Sequence, residues 1–352
     1  MKWEKYSLQE IANYWTGKID ASILNESNYV STENLIPNKG GVIDSSYVPK
    51  GGNANSYSEK DVLISNIRPY FKKIWFADKD GGCSNDVLVF RAKEQVEPLY
   101  LYYQLSKDSF FDYMVSGSNG TKMPRGNKTS IMEFILQIPP LPTQRRIASI
   151  LSAYDDLIEN NLKRIKLLEE KAFLAYKLLN QDFPGCKVEN KKLKDVLDFK
   201  YGKALKADNR SEGKYSVFGS SGVVGSHVTY IVKGPGIVVG RKGNVGSVFW
   251  SFDDFWVIDT AYFVESTISL YYLYFNLKEQ HFVDTDAAVP GLNRNFALDN
   301  PIVLPPINEI TQFEMKAKPI FQLMYTLHQQ NAKLREARDI LLPRLMSGEI
   351  EK

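Results

Sequence analysis

Three constellations in this chain invite a chemical reading, and each stops short of a catalytic set. Asn66-Ile-Arg-Pro-Tyr70 sits close to the asparagine-proline-proline-aromatic run with which amino-methyltransferases hold a flipped base, but isoleucine and arginine stand where the first proline belongs. Gly240-Arg-Lys-Gly243-Asn-Val-Gly246 has neither the G-x-x-x-x-G-K-S/T order of a phosphate loop nor the G-x-G-x-x-G spacing of a dinucleotide turn. It reads instead as tight turns that carry Arg241 and Lys242 outward. His227, His281 and His328 fall on different segments without H-E-x-x-H, a cysteine-histidine pair or a serine elbow. The acidic residues form no nuclease-like group either. No catalytic residue and no metal site are therefore expected.

The composition narrows the class further. A chain of 352 residues exceeds one ordinary compact domain, and 43% hydrophobic with 12% aromatic residues can build real cores. Its 44 basic and 41 acidic side chains leave a formal charge of +3, so a nucleic-acid partner would have to be met by locally concentrated lysines and arginines. Cys83 and Cys186 are too far apart in sequence to suggest a disulfide framework or a zinc cluster. The first residues lack the apolar core of a signal peptide, and no apolar run approaches the ~18–20 residues of a membrane helix. A soluble, cytoplasmic protein is expected.

The elements that must position any site are written twice. Leu8-x-x-Ile11-x-x-Tyr14-x-x-Gly17-Lys18 recurs as Leu193-x-x-Val196-x-x-Phe199-x-x-Gly202-Lys203. Strand candidates Val62–Asn66 and Ile237–Gly240 are each followed by an arginine, Arg68 or Arg241, and then by a strand ending in Trp75 or Trp250. Asp86–Phe90 is matched to Asp259–Phe263, Leu99–Leu105 to Tyr271–Leu277, and Pro124-Arg-Gly-Asn127 to Pro290-Gly-Leu-Asn293.

Each copy ends in a proline pair, Pro139-Pro140 or Pro305-Pro306, which breaks the β-rich region and opens a helix with Thr143 or Asn308 as the expected N-cap. From Ile147 the apolar steps alternate between four and three through Leu151, Tyr154, Ile158, Asn161, Ile165, Leu168, Ala172, Ala175 and Leu179. The second helix repeats the seam through Phe313, Ala317, Ile320, Met324, Leu327, Asn331, Leu334, Arg338, Leu341 and Leu345. A period of 3.5 that does not drift predicts that residues 143–180 and 309–346 pack on each other, with Asn161 and Asn331 fixing register. Arg338 and Pro343 depart from an ideal seam.

The predicted fold class is thus α+β: two tandem globular domains and two long helices packed as an antiparallel coiled coil, related by a pseudo-two-fold internal repeat. The expected divisions are 1–142, 143–183, 184–303 and 304–352.

This order, with the helix sequences as they stand, resembles the specificity subunits of type I restriction-modification systems over essentially the whole chain. Pro139–Leu151 with Asp155-Asp156 and Lys166–Lys171 looks like the family's central conserved region, and Leu334–Ile350 like its C-terminal one. Tyr201–Ala204, Tyr215–Gly222 and Lys233–Ser247 resemble a target-recognition domain. Tyr14–Gly17 and Asn119–Arg125 resemble one more loosely.

The resemblance implies a non-catalytic, DNA-binding protein of host defence that reads an asymmetric, interrupted duplex site, one domain per half-site. It implies two methyltransferase subunits using S-adenosylmethionine for DNA methylation, and a motor-nuclease subunit using ATP and Mg. The helices would set the spacing between half-sites, so lengthening both by insertion should lengthen the spacer found by methylation mapping. Two other readings remain, a methyltransferase or nuclease in its own right and a coiled-coil adaptor.

Phosphate contacts call for Lys or Arg, and base edges for Arg, Lys, Asn, Gln or Ser at loop tips. The DNA-binding candidates in the first domain are Asn53, Asn55, Arg68, Lys72, Lys73, Asn119, Lys122, Arg125, Asn127 and Lys128. In the second they are Lys203, Arg210, Ser220, Ser221, His227, Arg241, Lys242, Asn244, Asn293 and Arg294.

Overall fold

Short β-branched and aromatic runs bounded by glycine or asparagine become the central sheet of each of two compact units. The computed structural model describes residues 3–118, 123–181, 189–283 and 291–349. One unit comprises Met1–Glu159 with Asn331–Lys352, the other Asn160–Gln330, so each takes part of both long helices.

In the first unit an antiparallel sheet runs in the order Ala12–Tyr14, Val87–Ala92, Val62–Ser65, Ile74–Phe76. One face, with Val62, Ile64, Leu88 and Phe90, packs against Pro98–Leu105 and Asp108–Ser116 in a core that also takes Leu8, Ile11, Tyr100 and Phe111. A second sheet, Lys18–Asp20, Asn53–Tyr57, Gly81–Cys83 and Tyr29–Val30, stands apart from it.

The other unit repeats the central sheet strand for strand as Leu197–Tyr201, Ala261–Ser266, Gly236–Gly240 and Val248–Ser251. Its helix Leu270–Glu279 packs where Pro98–Leu105 packs in the first. A two-stranded antiparallel ribbon closes each copy before the long helix, Glu4–Ser7 with Ile135–Ile138 and Glu189–Lys192 with Pro301–Leu304.

The register corrects one expected match. Tyr14 pairs with Phe90, and its repeat partner Phe199 pairs with Val264, so Phe90 corresponds to Val264 and not to Phe263. A slip of one residue exchanges the two faces of a strand, and only this register keeps Leu88 and Phe90 in step with the core residues Tyr262 and Val264.

The long helices run from Leu141 to Gln181 and from Ile307 to Met346. Both begin before the expected caps, so Thr143 and Asn308 lie inside the first turn. The Pro140 carbonyl accepts from the Thr143 and Gln144 amides at 2.9 and 3.2 Å, and the Pro306 carbonyl accepts from Glu309 and Ile310 at 2.9 and 3.2 Å. A proline costs nothing at a position whose N–H would have no intrahelical acceptor, so the second proline of each pair can start the helix itself. The second helix continues through Pro319 as well as Pro343.

Within the first unit Ile147 and Leu151 share a core with Leu342, Leu345 and Met346, and the Ile158 carbonyl accepts from the Asn331 side chain at 3.3 Å. In the other, Ile165 clusters with Met324 and Leu327, and Ala172 and Tyr176 with Phe313, Ala317 and Phe321. Numbers that rise on one helix meet falling numbers on the other, which is antiparallel packing. Asn161 and Asn331 are both buried. Leu168, Leu334 and Leu341 are half-buried at the seam. Toward its C-terminal end the first helix departs from the predicted line: Tyr176 is buried while Ala175 and Leu179 are only half-buried, because there the helix turns its face to the aromatic core of the domain.

Candidate nucleic-acid interface

The hairpin between Gly236–Gly240 and Val248–Ser251 is built from the glycine-rich run. Gly243 and Gly246 have φ of 82° and 74°, the left-handed region in which glycine carries no Cβ penalty. The Gly240 amide donates to Ser247 O at 2.8 Å and Gly246 N to Gly240 O at 2.9 Å, closing the turn. It is a hairpin turn, as the sequence suggested, and not a phosphate loop.

Four of the candidates in this unit converge. Arg241, Lys242, Asn293 and Arg294, with Tyr201, Tyr262, Gly291, Leu292 and Asn295, line a cavity of about 330 Å³. The Arg241 guanidinium lies 5.0 Å from the Tyr201 ring centre and 5.7 Å from that of Tyr262, while its Nη1 donates to Asp259 O at 3.1 Å. Arg294 donates Nε to Phe199 O at 2.6 Å and pairs through Nη2 with Asp198. Burial alone would raise the Asp198 carboxyl, but Lys200 at 3.0 Å together with Arg294 holds it below its ordinary value. Asn293 caps the short helix Arg294–Leu298 by accepting from the Asn295 and Phe296 amides.

The other candidates of this unit form two further groups. Asn244 donates to Ser221 Oγ at 3.0 Å, and Ser220 O accepts from Ser247 Oγ at 2.5 Å. His227 meets the Trp256 ring edge to face, and Trp256 donates to the carbonyl of Lys203, whose side chain is exposed. Arg210 donates to Val224 O at 2.7 Å.

In the first unit Arg68, Arg125, Asn127 and Lys128 come together. Arg68 N donates to Pro124 O at 2.8 Å, Arg125 pairs with Asp86 at 3.2 Å, Asn127 caps Lys128–Met132, and the Lys128 ammonium lies 5.2 Å from the Tyr14 ring centre. Lys72 bonds Asp108 at 2.9 Å beside Lys39, which the sequence did not single out. Lys73 donates to Thr32 O at 2.5 Å, and burial lowers its pKa. Asn53 is exposed and Asn55 accepts from Lys18 at 2.6 Å, both on the second sheet. Asn119 and Lys122 lie outside the described residues.

The backbone also corrects the pairing of Arg68 with Arg241. Asn66 N donates to Asp86 O at 2.8 Å and Arg241 N to Thr260 O at 2.9 Å; Gly126 N donates to Asn66 O at 3.2 Å and Leu292 N to Arg241 O at 2.7 Å. The counterpart of Arg241 is Asn66, a buried amide whose Oδ1 has no partner among the described residues. Two extra residues follow the strand in the first copy, and counting forward to the next arginine overlooked them. Tyr201 and Tyr262 were also missed as site residues; the signal was their period-2 spacing with Phe199 and Val264 at adjacent strand ends.

Among the described residues no group of three or more His, Cys, Asp or Glu could hold a metal ion, and no helix is long and apolar enough to cross a membrane.

Comparison with known proteins places these domains. The type I restriction-modification specificity subunit MjaIX of Methanocaldococcus jannaschii is 25% identical over 303 residues, covering 73% of this chain and 70% of that one. The MjaVIII specificity subunit of the same organism is 24% identical over 405 aligned positions, covering 99% and 93%. A crystal structure of a type I S subunit from M. genitalium shares the fold at 18% identity with a TM-score of 0.57, covering 98% of this chain and 96% of that one. The profile of the type I restriction modification DNA specificity domain matches twice, at residues 1–170 and 186–336, so the chain belongs to that family and carries its domain in two unlike copies.

Proposed function

We propose that this chain is the DNA sequence-specificity subunit of a type I restriction-modification enzyme, a non-catalytic protein that reads an asymmetric bipartite duplex site. The observation that carries this reading is the double match to the specificity domain over 1–170 and 186–336. The two copies keep one sheet and one helix-capping asparagine, yet they differ at the site itself, with Asn66 against Arg241 and Lys128 against Arg294. Unlike reading heads imply unlike half-sites.

The long helices are the docking element for two methyltransferase subunits in this reading. Leu162, Leu167, Leu174 and Leu178 on the first helix are exposed and off the seam, an apolar face suited to a protein partner. S-adenosylmethionine then belongs to those methyltransferases, ATP and Mg to a motor-nuclease subunit, and the assembly to the cytoplasm.

A gel shift with the methyltransferase subunits present tests the reading. Retention of a duplex carrying the mapped site, and release when either half-site is scrambled, is the expected result. Equal retention of scrambled duplex would reject it.

A further inference from the structure

The cavity of the Asn160–Gln330 unit has a makeup that the first unit does not repeat. Three cationic side chains reach it, and only Arg294 is matched there by a carboxylate, that of Asp198. Arg241 is held by two rings and one carbonyl, so its guanidinium is oriented before any ligand arrives and loses little freedom on binding. Lys242 extends from the same turn with an exposed side chain, its backbone bridged to Gly291. Tyr262 spends its hydroxyl on Leu292 O at 2.9 Å, which fixes the cavity floor, and burial pushes that hydroxyl up to about 12.

In the first unit the same backbone position carries neutral Asn66, and the position of Tyr262 carries Leu88. The surplus positive charge is therefore particular to one copy. An oriented guanidinium beside a mobile ammonium, in a polar recess too small for a helix or strand, matches a phosphate group: the fork supplies directed donors and the lysine adds charge. A base edge would instead call for donors and acceptors together. Here Asn293, the one amide that four cavity-lining candidates include, already spends its carbonyl oxygen on two backbone amides.

We infer that Arg241 and Lys242, in the cavity floored by Tyr262, form a DNA-phosphate anchor belonging to the second recognition domain alone, which positions that domain without reading a base. This rests on the specificity-subunit reading and adds an asymmetry to it: the second half-site is gripped with a stronger salt dependence than the first.

The test is carried out on the full chain with its methyltransferase subunits and a duplex containing the mapped site, over a range of salt concentrations. Arg241→Gln is expected to lower affinity and reduce the slope of log affinity against log salt by about 0.9, the release of one phosphate contact, while the methylated motif stays the same. Lys242→Ala, whose exposed side chain makes its loss harmless to folding, is expected to reduce the slope as well. Arg241→Lys should restore part of the slope. An unchanged slope in both Arg241→Gln and Lys242→Ala would overturn the anchor, and so would a motif that relaxes at one base. Failure of the unaltered complex to select its site would instead reject the recognition reading itself.

Discussion

Arg338 donates from Nη1 to Asp155 Oδ1 at 2.6 Å, and this ion pair occupies the positions that Ala172 and Phe321 fill in the other unit. The repeat makes the exchange visible. Each helix seam residue recurs 166 positions later, as Ile147 does at Phe313, so Asp155 corresponds to Phe321 and Ala172 to Arg338. Tyr103 completes the polar group by donating its hydroxyl to Asp155 Oδ2 at 2.6 Å. Despite burial, which would lower it, the Arg338 pKa stays raised because Asp155 and Asp339 bond it. What read as a flaw in the seam is a paired charge.

Removing one partner leaves the other half-buried and unpaired, so Arg338→Met is expected to destabilise the chain by about 2–4 kcal/mol. Arg338→Ala combined with Asp155→Phe, the pair used by the other unit, should recover most of that loss. Denaturant unfolding of the full chain measures both, and a single variant as costly as the double would refute the substitution logic.

Asn331 spends a buried seam position on one side-chain bond to Ile158 O. Asn331→Leu is expected to raise stability by about 1 kcal/mol, since a polar residue at a seam costs stability while specifying register. Thermal unfolding reads the change; a lower melting temperature would show that the amide contributes more than register.

Asn127 and Asn293 are repeat partners that cap five-residue helices. Each alanine variant should lose about 1 kcal/mol of stability, the ordinary cost of removing an asparagine cap. If capping is their whole role, methylation mapping returns the unchanged motif; a relaxed motif would make them base readers.

Glu169 accepts from Tyr274 at 2.8 Å and from Lys278 at 2.9 Å. Burial works to raise its pKa, but these two partners bring it below its ordinary 4.5. A carboxylate lowered in the folded state stabilises above pH 4.5 and loses that contribution as pH falls through the folded value. Glu169→Gln should therefore cost about 0.5–1 kcal/mol at neutral pH and little under acid conditions. A loss that stays constant down to acid pH would point to packing instead.

The parts of this fold that could be read in sequence are those with long-range order in the pattern itself. Seam residues such as Ile158, Ile165 and Met324 recur strictly, and the proline pairs mark where each helix opens. Register was harder, because the neighbours Phe263 and Val264 are both plausible partners for Phe90, and only hydrogen bonding to Phe199 separates them. The same holds at the site. Arg241 and Asn293 were legible as polar tips of turns, whereas Tyr262 looked like framework until its ring was seen under the arginine.

The account stands most directly on genome-wide methylation mapping in cells with and without this gene. It predicts the loss of one motif made of two unlike half-sites separated by a spacer of fixed length. A continuous or palindromic motif, or an unchanged methylation map, would contradict it.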